Sequence, residues 1–267
     1  MIHSLRDVSE AVKLGTTLTR SWFRGQAEPY DNLTPAIFRD MYAPIEAARG
    51  PIEFSVAAEF KRRSPAHADR LPAWEDHLSW LFLMQHHGLP TRLLDWSENV
   101  LVALYFAVRS SGDKDGELWA LYPDELNRRS GFFGLPLPNH QAIRFLAAEP
   151  WHNAPLDLAR ELGLSTPQQY PVAVLPPVNS ERILAQASAF TIHPRPTVGC
   201  TIPELLSEPK YLIKYTVPAS MKRGILADLG ALRITEDGLF PGLDSLTRRI
   251  IEQHHVVGYS PPEPPKL

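Results

Sequence analysis

One stretch of the sequence, residues 80–108, limits the possible folds more than any other, because it holds two strongly apolar segments close together, WLFLMQHHGLPTRLLDWSENVLVALYFAV. The first segment predicts a helix that ends at Gly88 and Pro90, since glycine readily adopts the left-handed conformation of a C-terminal cap and proline cannot continue a helix. Residues 91–94 predict a short buried strand, and residues 100–108, which are apolar on every side, predict a buried helix. The folded chain must therefore enclose this stretch.

A group of polar side chains lies between these two apolar segments. Residues 95–97 predict a turn, with Ser97 as the N-cap of the second helix. Buried positions rarely carry this much polarity unless the groups are paired or serve a function. We therefore expect the functional site among the following side chains: Gln85, His86, His87, Arg92 and Asp95.

The composition bounds the class of protein. A chain of 267 residues with 44% apolar and 21% charged residues is ordinary for a globular protein with a large core. The net charge of −3 argues against a general electrostatic nucleic-acid binder. The single cysteine excludes an intrachain disulfide, and we see neither a signal peptide nor the roughly 20 consecutive apolar residues of a membrane helix. We expect a soluble, cytoplasmic protein that makes no membrane contact.

The order of the elements favours an α+β fold, because helices and strands do not alternate as they do in a doubly wound sheet. The sequence predicts strands at 17–25, 116–122, 170–175 and 212–217, helices at 4–14, 52–63, 141–148, 156–162, 218–229 and 246–254, and short helix-turn or strand pieces at 181–186 and 189–193. We expect a single domain over 1–259, with a less regular excursion at about 123–177, followed by a Pro-rich tail at 260–267.

Four motifs in the chain resemble those of the FRG domain family, which is named after a Phe/Tyr-Arg-Gly triplet. The first is WFRGQ at 22–26 with LTPAIFR at 33–39, and the second, LMQHHGLPTRLLDW at 83–96, belongs to the apolar stretch described above. The third covers 179–193 and the fourth covers 239–244. Within the third, Ser188 stands where relatives usually carry glycine.

The resemblance implies both a fold and an activity. FRG domains occur in bacterial defence and toxin-like settings, and their layout is similar to the ADP-ribosyltransferase fold, a split β-barrel that holds NAD. We therefore expect a split β-barrel, or two small sheets flanked by helices. We also expect an NAD-dependent ADP-ribosyltransferase that modifies RNA, DNA or a protein. A toxic transferase would further need a neutralising partner, such as an antitoxin or a chaperone.

The resemblance also implies roles for individual residues. The forked guanidinium of Arg24 can hold a phosphate or a ribose edge next to Gly25, where a backbone can approach a ligand closely. The third catalytic position of the ADP-ribosyltransferase fold lies on a late element and usually holds a Glu. In this chain it falls to Gln186 or, alternatively, to Glu181. Because the chain lacks a Walker or Rossmann glycine-rich loop, NAD would have to bind through a different geometry. The expected catalytic residues are Arg24, Arg92, Asp95 and Gln186, and the expected NAD-binding residues are Phe23, Arg24, Gly25, Gln26, His86, His87, Thr91, Arg92 and Phe190.

Several of these residues also have structural interpretations. Arg24 could form a structural ion pair with Asp95, and Arg92 could cap a helix or bridge to Asp95. His86 and His87 could satisfy carbonyl groups at the C-terminus of their helix. A metal site built on the two histidines and Asp95 is disfavoured, because adjacent side chains on a helix point about 100° apart. We expect no bound metal.

Two other functions stay open at this point. A non-catalytic module that binds nucleotides or nucleic acid would keep its ligand after loss of Asp95 and Gln186. A protein-interaction or structural domain would instead use its polar core only to specify the fold. In that case the substitution Arg24→Ala would lower stability rather than activity.

Overall fold

A computed structural model describes residues 1–15, 20–29, 33–39, 52–110, 112–152, 154–178, 180–195, 201–208 and 210–254 of the protein. Its strands are β1 (Trp22–Gln26), β2 (Leu93–Ser97), β3 (Gly116–Leu121), β4 (Val172–Val174), β5 (Ser188–Ile192) and β6 (Leu212–Val217). They form one six-stranded sheet in the order β4-β5-β2-β1-β3-β6, and every neighbouring pair is antiparallel. The protein is therefore a mixed helix and strand structure built on one open antiparallel sheet.

Helices pack on both faces of this sheet. They are α1 (Leu5–Gly15), α2 (Ile52–Arg63), α3 (His77–His86), α4 (Val100–Val108), α5 (Pro123–Arg129), α6 (Gln141–Ala148), α7 (Pro155–Glu161), α8 (Glu181–Ala185), α9 (Ile202–Leu205), α10 (Ala219–Ala231), α11 (Glu236–Leu239) and α12 (Leu243–Gln253). Short 3₁₀ helices cover Ala36–Phe38, Ser64–Ala66 and Glu149–Trp151. No helix in the described ranges is long and apolar enough to cross a membrane.

The centre of the sheet is weakly joined. Strands β1 and β2 pair at a single position, Phe23 opposite Ser97, and diverge beyond it. By contrast, β1 pairs with β3 along its whole length, and β2 does the same with β5. The sheet thus consists of two three-stranded halves that are connected at one residue pair. On one side of that pair a gap separates β1 from β2.

Helix α4 packs against β1 and β3 unusually closely, and two glycines make this possible. A Cβ atom added at Gly25 would lie 1.7 Å from the carbonyl oxygen of Ala103, and one added at Gly116 would lie 2.4 Å from that of Ala107. Since real Cβ atoms do not approach other atoms this closely, both positions require glycine. The glycine of the Phe-Arg-Gly triplet is therefore required by helix packing.

The structure confirms several predicted elements and corrects others. The helices at 52–63 and 100–108 have the predicted bounds, but the predicted turn at 95–97 is wrong, because β2 continues through Ser97 in pairing with β5. Asn99 is the N-cap of α4, since its side chain accepts a hydrogen bond from the backbone N–H of Leu101 (2.9 Å).

Two larger expectations also change. The expectation of two separate sheets was wrong, and among the described residues the outer strands β4 and β6 do not pair with each other to close a barrel. The segment 123–177 is more regular than predicted, because α6 buries Ile143 and Phe145 in the core. The first residues of the predicted strand at 17–25 and the tail at 260–267 lie outside the described residues.

Candidate functional site

A cleft opens where β1 and β2 diverge. Its enclosed volume is about 160 Å³. Small-molecule sites commonly occupy roughly 300–1,000 Å³, so a dinucleotide would have to extend out through the open mouth of the cleft. Residues on both sides of the sheet line it, with the 3₁₀ helix at 36–38 on one side and α4 on the other. Its polar and charged lining residues are Arg24, Gln26, Arg39, Gln85, Asp95, Ser97, Arg109, Gln186 and Ser188.

Arg24 crosses the gap between the two strands. Its Nη1 donates a hydrogen bond to the backbone carbonyl of Asp95 (2.7 Å), while the carboxylate oxygen Oδ2 of Asp95 lies 3.9 Å away. The ion pair that the sequence allowed is therefore at the limit of contact, and the main contact is to the backbone. The Arg24 side chain is 13% exposed, so it forms part of the cleft floor.

The Asp95 carboxylate is oriented by a short chain of hydrogen bonds. The hydroxyl of Thr91 donates to Oε1 of Gln85 (2.6 Å), and Nε2 of Gln85 donates to Oδ2 of Asp95 (2.7 Å). The backbone N–H of Leu93 donates to the Thr91 hydroxyl (3.1 Å), which is fully buried. Thr91 therefore acts behind the cleft, whereas Asp95, whose side chain is 42% exposed, faces the opening.

Phe23 and Gln26 occupy the β1 wall of the cleft. Phe23 is buried against α4 and contributes one edge of the lining. Gln26 is also buried, and its Oε1 accepts a hydrogen bond from Nε1 of Trp119 (3.1 Å). The whole predicted segment from Phe23 to Gln26 thus lines the cleft, as the sequence indicated.

Arg92 does not reach the cleft, although the sequence placed it there. Its guanidinium is fully buried, bonds to both carboxylate oxygens of Glu53 (2.8 and 2.6 Å), and forms an ion pair with Glu149. A further hydrogen bond reaches the carbonyl oxygen of Leu146 (3.0 Å). Burial alone would lower the pKa of Arg92, but the charges of Glu53 and Glu149 outweigh it and raise this pKa. Arg92 therefore ties β2 to α2 and to the 3₁₀ helix at 149–151.

The two histidines and Phe190 also lie outside the cleft lining. His86 ends α3, and His87 is exposed beside it, with their rings in edge contact (5.1 Å). Burial lowers the pKa of His86, and the charges of Arg182 and His87 add to this. Phe190 sits opposite Asp95 in β5, yet its ring packs into the core against Phe82 (4.8 Å). In the described part of the chain no cluster of three or more His, Cys, Asp or Glu side chains is arranged to hold a metal.

Gln186 does reach the cleft, and Glu181 does not. The side-chain Nε2 of Gln186 donates to the carbonyl oxygen of Leu239 (2.9 Å), and the backbone carbonyl oxygen of Gln186 accepts from the hydroxyl of Ser97 (2.7 Å). Glu181 is exposed at the start of α8 and is not part of the lining. Among the described residues that line the cleft, Asp95 is therefore the one carboxylate.

Sequence reasoning missed a pair of arginines around Phe240, of which Arg109 lines the cleft and Arg182 lies beside it. Arg109, the C-cap residue of α4, lies over the rings of Phe106 (5.5 Å) and Phe240 (5.9 Å), and Arg182 of α8 lies over the Phe240 ring (4.8 Å). Nη1 of Arg182 also donates to the carbonyl oxygen of His86 (3.0 Å). These groups come from distant parts of the chain, and no local pattern links them. The position of Arg182 inside the third motif was the available signal.

The electrostatic character of the cleft is positive. In the part of the chain that the structure describes, three arginines line it, Arg24, Arg39 and Arg109, against the single carboxylate of Asp95. Close by, burial lowers the pKa of His193 to about 3, and the charges of Arg92 and Arg24 add to the effect. His193 is therefore neutral at physiological pH, which leaves the local charge to the arginines.

These features define an α+β protein with a cationic cleft between the two halves of one antiparallel sheet. Residues 19–116 match the model of the FRG domain family, which confirms the resemblance carried by the first two motifs. The matched segment includes β1, β2 and α4, which form most of the cleft, but neither the third nor the fourth motif. Searches of curated proteins and of solved structures found no significant match.

Proposed function

We propose that the cleft binds NAD and transfers its ADP-ribose group to an acceptor. One observation carries this proposal: the sheet opens at a single point, and Arg24, Asp95 and Gln186 meet at that opening. A sheet divided around a nucleotide site is similar to the split barrel that the family resemblance implies. An open sheet with two joined halves is compatible with that layout, and the residues at its opening suit the chemistry.

The reaction would break the bond between the nicotinamide nitrogen and C1′ of the ribose. The electron pair of this bond stays with the nicotinamide, which leaves as a neutral ring, so positive charge develops on the ribose. A carboxylate at this place stabilises the charge, as in other reactions with an oxocarbenium-like transition state. Asp95 is suited to this role, because it faces the opening and Gln85 holds it in one orientation. An acceptor nucleophile then attacks C1′ and releases its proton.

The other lining residues would bind and position the dinucleotide. Arg24 suits the hydroxyl groups of the nicotinamide ribose, because it lies on the cleft floor beside Asp95 and its Nη1 already donates across the gap. Phe106 and Phe23 offer aromatic surface for the nicotinamide ring. Arg92 and Phe190 have no direct part in this proposal, since both are buried away from the cleft, and Thr91 acts only through Gln85.

The acceptor in this proposal is a nucleic acid or a protein that reaches the open mouth of the cleft. A transferase of this kind would be toxic to its own cell, so we also propose a role as a toxin or defence effector, restrained by a partner protein. Both parts of the proposal depend on catalysis, which is therefore tested first.

A second candidate is a module that binds a nucleotide without cleaving it. It is favoured by the residue at the expected third catalytic position. Gln186 has an amide there in place of a carboxylate, and this amide donates a hydrogen bond to the carbonyl oxygen of Leu239. This candidate predicts that NAD binds and stays intact, and that Asp95→Asn leaves its dissociation constant unchanged.

The acceptor assay separates the two candidates. NAD with a label on its adenylate half is incubated with the protein and a cell lysate, in parallel with Asp95→Asn. Transfer predicts labelled macromolecules with the wild type only, and treatment with nuclease or protease then identifies the acceptor class. An unlabelled lysate, together with binding of intact NAD by both proteins, would favour the binding module.

A further inference from the structure

Two positive charges lie close together where Arg109 lines the cleft and Arg182 lies beside it. Arg109 and Arg182 both lie over the ring of Phe240. Burial lowers the pKa of Arg182, the charge of Asp95 opposes this, and the charge of Arg109 adds to it. Like charges repel, and cation–π contacts at such partly exposed sites are weak. Packing alone is therefore a weak reason to hold two guanidinium groups here.

Neither arginine is neutralised in the part of the chain that the structure describes. Asp95 is the carboxylate that raises the pKa of Arg182, but it does so from beyond ion-pair distance. Among the described residues, neither the Arg109 nor the Arg182 guanidinium forms an ion pair. By contrast, Arg128 and Arg129 on α5 both pair with Glu125. The mouth thus keeps two cationic groups available to an anion.

The chemistry of these groups selects one class of anion. A guanidinium presents paired N–H donors that match the oxygens of a phosphate, and two neighbouring guanidiniums match a group with two linked phosphates. Phe106 and Phe240, whose rings meet edge to face (5.9 Å), add aromatic surface beside the charges. A ring attached to the diphosphate could pack there, as aromatic groups commonly do in nucleotide sites.

We propose that Arg109 and Arg182 form a subsite for the diphosphate bridge of a dinucleotide, with Phe240 holding both guanidiniums in place. This subsite deepens the proposed function and rests on it only for the identity of the dinucleotide. In this arrangement the diphosphate lies at the mouth and the ribose to be transferred lies deeper, next to Arg24 and Asp95.

Binding of inorganic pyrophosphate tests this subsite without any NAD chemistry. Isothermal titration calorimetry at low salt compares the wild type with Arg109→Gln and Arg182→Gln. Because hydrogen bonds to charged groups are the stronger ones, each substitution is expected to weaken pyrophosphate binding about tenfold or more. Arg160→Gln, an exposed arginine on α7 with a 74% exposed side chain, is the matched control and should bind like the wild type.

Arg109→Gln is the decisive variant if Arg182→Gln proves unstable. Arg182 also bonds to the carbonyl of His86, whereas Arg109 makes only ring contacts among the interactions described here. Thermal melting of each variant precedes the titration. Failure of the wild type to bind pyrophosphate at millimolar concentration, or equal binding by wild type and Arg109→Gln, would overturn the subsite.

The subsite and the proposed function can fail separately. Pyrophosphate binding that depends on Arg109, with no nicotinamide release from NAD, would support the subsite while the transferase proposal falls. NAD cleavage with an unchanged KM in Arg109→Gln would support the transferase and overturn the subsite. A single-stranded oligonucleotide whose binding depends on both arginines, while NAD binding does not, would also overturn it, because the pair would then serve the acceptor.

Discussion

Removing the guanidinium of Arg92 should destabilise the protein severely without removing any group from the cleft. In Arg92→Ala the carboxylates of Glu53 and Glu149 lose their shared cation inside the fold, where the Glu53 side chain is 2% exposed and that of Glu149 is 12% exposed. Breaking a buried ion pair by removing one partner costs about 3–5 kcal/mol. The carbonyl of Leu146 loses its hydrogen bond as well, so the upper part of this range is expected.

The assay is thermal and urea unfolding followed by circular dichroism. For a protein of this size, 1 kcal/mol corresponds to roughly 2–4 °C in Tm, so Arg92→Ala should melt about 6–20 °C below the wild type. The matched control is Arg128→Ala, an exposed arginine that pairs with Glu125, and its Tm should stay close to that of the wild type because surface ion pairs contribute little. Replacing Arg92, Glu53 and Glu149 together by Met, Leu and Leu should recover most of the loss, because it leaves no unpaired buried charge.

Binding and activity assays of Arg92→Ala complement the stability measurement. At a temperature where Arg92→Ala is folded, its pyrophosphate binding and its nicotinamide release should equal those of the wild type. A variant that melts within about 2 °C of the wild type but has lost nicotinamide release would refute the structural role and return Arg92 to the catalytic group.

Three further predictions follow from the same structure. Gly25→Ala should cost about 3 kcal/mol or more in urea unfolding, because α4 must move away from the new methyl group, whereas the control Gly224→Ala, in open space on α10, should gain about 0.5–1 kcal/mol. The pKa of His193 is lowered in the folded state, so the unfolded state binds the proton first as the pH falls below about 6.5. The free energy of unfolding should therefore decrease with falling pH, down to about pH 3, and it should do so about 1.4 kcal/mol per pH unit faster in the wild type than in His193→Gln. Equal slopes for the two proteins between pH 6.5 and 5 would contradict this assignment. Gln85→Ala should lower kcat for nicotinamide release about 10- to 100-fold and leave KM nearly unchanged, because it frees the orientation of Asp95; an unchanged kcat would exclude the positioning role.

The sequence was most informative where apolar patterning is continuous. The helix at 100–108 could be predicted with its bounds, since its residues are apolar on all sides and the chain has to bury them. The strand before it was predicted too short, because Asp95 and Ser97 are typical turn residues when read locally. Pairing with β5, more than 90 residues further along the chain, keeps them in the sheet instead. A contact between residues so far apart in the sequence produces no local sequence pattern.

The candidate site was predicted in part for a related reason. Arg24, Gln26, Asp95 and Gln186 reach the cleft as expected. Arg92 lies only three positions from Asp95, yet its side chain points to Glu53, and a sequence does not reveal which buried acid a nearby arginine will meet. Conversely, Arg109 contacts Phe240, which lies far away in the sequence, and a spacing of this length carries no periodic signal.

The most direct test of the NAD proposal is nicotinamide release from NAD by purified protein, measured by liquid chromatography for the wild type, Asp95→Asn and the control Arg160→Gln. All three should first be shown to melt within about 2 °C of one another. Release by the wild type and the control, with a fall of at least about 100-fold in Asp95→Asn, is the expected result, since removing a single charge-stabilising group from a transition state commonly costs about 10²–10³ in kcat. No release by the wild type, with or without cell lysate, or equal release by Asp95→Asn, would contradict the role of this cleft in NAD cleavage.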